Sequence, residues 1–161
     1  MRTGLLIAAV SLSLCGTTVF ACGDREAISL ASRLFAKHRL FYAQETPGLK
    51  KIVSPAFYQA LKGHYRCGEK EGGICHLDYE PWLGAQDGEV GAPVKYAVTA
   101  RSADGVSVSM SYAFVLEPGT PKKAQTVVLQ LQKAAEPQCW LVDDLVTPIG
   151  DSLAKSYRGK P

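Results

Sequence analysis

From Val106 to Leu116 every second residue is apolar: Val106, Val108, Met110, Tyr112, Phe114 and Leu116. The residues between them, Ser107, Ser109, Ser111 and Ala113, are small. Side chains alternate faces along a strand, so this stretch reads as a β-strand with one buried face. Its length exceeds the average and predicts a sheet that curls. The period of two begins at Pro93, with Val94, Tyr96, Val98 and Ala100 alternating with polar or small neighbours. Ser102-Ala103-Asp104-Gly105 is a hairpin turn between the two strands. Glu117-Pro118-Gly119-Thr120-Pro121 is a second turn, Thr126 to Gln132 a third strand, and Cys139 to Leu145 a fourth. Pro148-Ile149-Gly150 ends the sheet, and a short helix is expected near Ser152 to Tyr157.

Before Pro93 the apolar spacing is helical. Ala27, Ile28, Ala31, Leu34, Phe35, His38, Phe41 and Tyr42 make one face of a helix from Asp24 to Tyr42, with Asp24 as N-cap and Lys37, His38 and Arg39 late. Ser54-Pro55 opens a second, shorter helix whose core face is Ala56, Phe57, Ala60 and Leu61, and Gly63 is its expected stop. Residues 64–90 read as one long irregular segment with a turn near Tyr79 to Gly84. Helices followed by a four-stranded antiparallel meander predict an α+β domain, with the N-terminal helices packed on a curved sheet.

The first residues read as an export signal. Arg2 is the only charge before Asp24, and Leu5 to Leu14 form an apolar stretch too short to span a bilayer, which needs about 20 residues. Val19-Phe20-Ala21 suits cleavage before Cys22, so residues 1–21 are the expected signal peptide and 22–161 a single domain of 161 − 21 = 140 residues. Val19-Phe20-Ala21-Cys22 also matches a lipobox at −1 and −3, though Phe20 is bulky at −2. The expected location is the periplasm, or a membrane tether through Cys22 on its periplasmic face. The net charge of +3 in the full chain falls to +2 without Arg2, which gives no ground for a nucleic-acid partner.

Without Cys15 the chain keeps Cys22, Cys67, Cys75 and Cys139. Cys67 and Cys75 flank a polar, glycine-bearing stretch and are expected to pair in an oxidising compartment. The rival, a metal site of Cys67, Cys75 and His76, lacks a regularly spaced fourth ligand, so neither metal nor cofactor is expected. Cys139 pairs with Cys22, or stays free if Cys22 is acylated.

Phosphate-binding loops, His-Glu-x-x-His and Gly-x-Ser-x-Gly are all absent. The candidate ligand pocket is the 76–87 segment, with His76, Asp78, Tyr79, Trp82, Gln86 and Asp87. A structural reading competes: Asp78 and Asp87 satisfy turn amides and Trp82 plugs the open side of the sheet. Asp143 and Asp144 are strand neighbours that point to opposite faces, so they cannot share a substrate; one of them is expected to reach the first helix, at Arg33 or Lys37. His38, on an apolar helix face, is expected to be buried and hydrogen-bonded. Ser107, Ser109 and Ser111 form a flat face open to solvent or to a second copy of the chain.

Three segments resemble a known group. These are Phe41-Tyr42 with Ile52-Val53-Ser54-Pro55, then Asp78-Tyr79-Glu80-Pro81-Trp82-Leu83-Gly84-Ala85-Gln86-Asp87, and Trp140-Leu141-Val142-Asp143-Asp144-Leu145. They are similar to the bacterial domain of unknown function 3828 family, within the nuclear-transport-factor-2-like superfamily. Tyr79-Glu80 stands where a second Asp is common in that signature. The resemblance implies a cone of helices wrapped by a curved sheet, in exported proteins and lipoproteins with no established reaction. It also implies that dimerisation through the sheet face is common, and that some relatives are isomerases or dehydratases with an Asp or His–Asp base. Three functions follow as expectations. The first is a non-enzymatic envelope protein that binds an unknown protein or small-molecule partner. The second is an immunity protein against a secreted antibacterial effector. The third is an enzyme with Asp87 or Asp78 as base and Tyr79 as donor.

Overall fold

A computed structural model describes residues 22–72, 75–135 and 137–159; the expected signal peptide lies outside them. Helix α1 spans Asp24–His38, and its first turn is closed by the Glu26 carboxylate, which accepts from the Gly23 amide at 3.0 Å. Gly23 rather than Asp24 is therefore the cap. The helix stops at His38, four residues before Tyr42, and residues 39–43 continue as turns. His38 is buried, and its Nδ1 meets the Thr46 hydroxyl at 2.7 Å.

Helix α2 spans Pro55–Glu71, and Ser54 caps it by accepting from the Phe57 amide at 3.0 Å. This corrects the expectation of a short helix ending at Gly63 and of an irregular segment from residue 64. The apolar face of Phe57 and Leu61 continues one and two turns further through His64, Tyr65 and Gly68. That continuation outweighs the propensity penalty of Gly63 and Gly68. The helix ends instead at Gly72, whose left-handed φ of 63° favours a residue without Cβ.

The sheet contains β1 (Glu89–Arg101), β2 (Gly105–Val115), β3 (Lys123–Lys133) and β4 (Trp140–Val146), all antiparallel in the order β1-β2-β3-β4. It is curved, as the long β2 predicts. Register shifts fall between Gly91 and Lys95, between Val98 and Ala100, and at Gln130/Leu131. Such irregularities bend strands and interrupt a free edge. The β4 edge is covered by residues 52–54: the Val142 amide donates to Ile52 at 2.9 Å and the Ser54 amide to Val142 at 2.8 Å. Helix α3 (Leu153–Arg158) packs on α2 and β4.

The core lies between the helices and the sheet face that they cover. Trp82 is fully buried, with its ring edge-on to Phe35 and Phe41 at centroid distances of 5.1 and 5.8 Å. Met110, Leu129 and Leu145 meet the same core from the strands. Ser107, Ser109 and Ser111 lie on the other face of β2, where Ser107 donates to Gln130 at 2.8 Å and Ser111 pairs with Thr126 at 3.0 Å. Neither member of the Asp143-Asp144 pair reaches Arg33 or Lys37 with a hydrogen bond. Asp143 is the extra residue of the β4 bulge and accepts from the Ser54 hydroxyl at 2.5 Å. Asp144 accepts from the Ala154 amide at 2.8 Å and from the Ser152 hydroxyl, which docks α3. Disulfides join Cys22 to Cys139 and Cys67 to Cys75.

Candidate functional site

The six residues expected to line one pocket are dispersed. Residues 80–85 close on themselves, with the Glu80 amide donating to Ala85 at 3.0 Å and the Leu83 amide to Glu80 at 2.9 Å. The turn drops Trp82 and Leu83 into the core and leaves Gln86 and Asp87 exposed on its far side. Trp82 is locked there. Its Nε1–H donates to the Arg39 carbonyl at 2.7 Å, and its own carbonyl accepts from the Tyr112 hydroxyl. Asp78 is exposed. His76 and Tyr79 remain half-buried and turn toward the helices instead of the sheet.

Those two residues border a cleft of ≈ 640 Å³ along α2, or the smaller hollow behind it. The cleft runs between α2, the residues after α1, the 75–79 segment and α3. Its walls are rings: Tyr42 from the turns after α1, Tyr65 from α2, Tyr79 from the connection and Tyr157 from α3. Three of the four hydroxyls are spent on the scaffold. Tyr65 donates to the Phe41 carbonyl, Tyr79 to the Asp151 carboxylate, and Tyr157 to the Tyr42 carbonyl at 3.4 Å. The cleft is open at Gly68, where an added Cβ would meet no described residue within 4 Å. Lys62, Arg66, Glu45 and Glu69 bring both charge signs to the rim.

Burial pushes the Tyr65 and Tyr157 phenols up, and burial with the hydrogen bond to Asp151 pushes Tyr79 up to about 12. The rings are therefore neutral at ordinary pH, and none supplies a phenolate base. At one end of the cleft His64 stacks on Tyr157, with centroids 4.1 Å apart and planes within 5°. Its Nδ1 lies 2.9 Å from Nδ1 of His76, so one ring donates and the other accepts. Burial, and then the charge of His76, lower the pKa of His64.

Two of the side chains expected to act as base or donor are bonded to neighbours within the fold. His76 is bonded to His64, Tyr79 to Asp151, and Asp87 to neither among the described residues. Neither ring of the His64–His76 pair is ion-paired with a carboxylate among the described residues. Among them, too, no group of three or more His, Cys, Asp or Glu side chains is placed to hold a metal ion. Cys67 and Cys75, two ligands of the rival metal reading, are joined to each other.

No protein-family model matches the chain, and a comparison with curated proteins finds no relative. The site therefore rests on its own geometry. Sequence reading located His76 and Tyr79 but missed Tyr42, His64, Tyr65 and Tyr157 as neighbours of one cleft. The available signal was the helical spacing Leu61, Tyr65, Gly68, which carries α2 past Gly63.

Proposed function

We propose that this protein is a non-catalytic binding protein of the bacterial envelope that takes its ligand in the α2–α3 cleft. The observation that carries this reading is the packing of Trp82, Phe35 and Phe41 into the space between the helices and the sheet. An enzyme of the cone type needs that space for substrate, and here aromatic side chains occupy it. The open aromatic surface is the cleft. Gly68 supports the choice: glycine inside a helix costs about 1 kcal/mol against alanine, and no group among the described residues needs the room. Glycine is the residue that lets a ligand approach a backbone closely. A ligand with a flat apolar body and a charged end matches four rings rimmed by Lys62, Arg66, Glu45 and Glu69.

The export signal of residues 1–21 and two disulfides favour a compartment outside the cytoplasm. A sulfur bonded to Cys139 is closed to a thioether, so Cys22 favours a soluble periplasmic protein over an acylated one. The resemblance to exported members of the domain of unknown function 3828 family agrees with this placement.

The test is native mass spectrometry of the protein recovered from the periplasmic fraction, beside a Gly68→Arg variant. Expected are a mass that begins at unmodified Cys22, and a bound small molecule that the variant loses while its ligand-free form melts no lower than that of the parent. A ligand retained equally by both proteins, or no ligand on either, would overturn the cleft as the binding site. A diacylglycerol-sized excess on Cys22 would overturn the soluble form.

A further inference from the structure

We infer that His64 and His76 form a proton-sensitive latch that holds the 75–79 wall of the cleft against α2. The inference rests on the reading of this cleft as the binding surface. An Nδ1···Nδ1 contact of 2.9 Å needs one nitrogen with a proton and one with a lone pair. The pair is therefore closed when it carries no charge or one. With two charges both nitrogens are donors, no acceptor remains, and like charges face each other at bonding distance.

The surroundings give the second proton little help. From α2 the charged neighbours are Lys62, Arg66 and Glu69 in the cleft, and Arg66 and Lys70 in the hollow behind it with His76 and Tyr157, so cations outnumber the single carboxylate. From α3 the partner is the Tyr157 ring, stacked on His64 and edge-on to His76. The 75–79 segment supplies the disulfide of Cys75, exposed Asp78, and Tyr79, whose hydroxyl is committed to Asp151. Across the cleft stand Tyr42, Tyr65 and Glu45, and Glu45 accepts from the Tyr58 hydroxyl at 2.5 Å. Burial, with the charge of His76 beside it, makes His64 the ring that resists a proton while its neighbour carries one. Because the pKa of His64 is lowered on folding, the latch contributes stability above the ordinary histidine value of 6.5 and loses it as pH falls below.

The Cys67–Cys75 disulfide limits what moves. Cys75 stays tied to α2, so parting of the rings frees only the chain beyond it. That chain carries Leu77 and Tyr79, both of which line the cleft. Acidification would thus widen the site at one wall without unfolding the domain.

The experiment is an NMR titration of the intact, disulfide-bonded protein without ligand, from about pH 8 to about pH 5. Expected are a His64 titration below the ordinary histidine value, and amides of Leu77 and Tyr79 that shift and lose exchange protection over that step. In His76→Gln, the amide side chain can still bond His64 but cannot charge. His64 should then titrate higher than in the parent, and the Leu77 and Tyr79 amides should stay closed. His64→Gln gives the reciprocal check should the first variant fold poorly. Leu77 and Tyr79 amides that do not respond in the parent, or respond equally in both variants, would overturn the latch. A latch that moves while Gly68→Arg leaves binding unchanged would instead overturn the binding reading alone.

Discussion

Trp82 connects three parts of the molecule through one side chain. Its ring meets Phe35 of α1 and Phe41 beyond it, its Nε1–H satisfies the Arg39 carbonyl, and its carbonyl receives the hydroxyl of Tyr112 on β2. Truncation to alanine would leave a large cavity and an unpaired carbonyl together, and aromatic-to-alanine changes in cores cost about 3–5 kcal/mol. Urea denaturation of Trp82→Ala should show a loss of that size, with ligand capture by the cleft reduced only in proportion to unfolding. Asp144 works similarly at a smaller scale. One carboxylate takes the Ala154 amide and the Ser152 hydroxyl, and so fixes where α3 begins. The sequence showed a pair of acidic residues at 143 and 144, but a register shift decides where each one points. Strand alternation alone could not supply the bulge that turns Asp143 to Ser54.

Among the elements, the strands were the most legible. Alternation in β2 and the turns at 102–105 and 117–121 placed all four strands to within a few residues. β1 starts earlier than Pro93, at Glu89, because irregular pairing around Gly91 to Lys95 conceals the period of two. Helix α2 was half legible. Gly63 reads as a stop, yet α3 packs against α2, and packing outweighs a propensity term of about 1 kcal/mol. This error hid the cleft, since His64, Tyr65 and Gly68 all lie on the part of α2 that was read as loop. It follows that Gly68→Ala should raise stability by up to about 1 kcal/mol in a thermal melt, because no neighbour among the described residues obstructs the new methyl group. No gain, or a loss, would show that the position is constrained by contacts within the chain and weaken the case for a ligand there.

For the whole molecule, covalent closure dominates. The two disulfides enclose very different lengths, with sequence separations of 117 and 8. On the chain-entropy account the long one contributes about 4–5 kcal/mol and the short one about 2–3 kcal/mol. A Cys22→Ser/Cys139→Ser double variant should therefore lose more stability in urea than Cys67→Ser/Cys75→Ser. Equal losses would mean that the denatured chain already holds α1 near β4. Both pairings were expectations from sequence; what sequence could not supply was the choice between a paired and an acylated Cys22, since that depends on a partner 117 positions away.

The long bridge has a further effect on how the molecule can come apart. Residues 22 to 139 form a covalent ring, and of the elements beyond it β4 is laced between β3 and residues 52–54. Helix α3 alone is neither enclosed by that ring nor woven into the sheet. Yet Tyr157, which forms one wall of the cleft and stacks on His64, belongs to α3. The binding surface is thus built across a seam between a part of the protein that is tied shut and a helix held to it only by core packing and the Asp144 carboxylate. Cleavage near residue 150 would take one wall of the cleft and the buried Leu153 and Tyr157 out of the core together, while residues 22 to 139 stayed covalently joined.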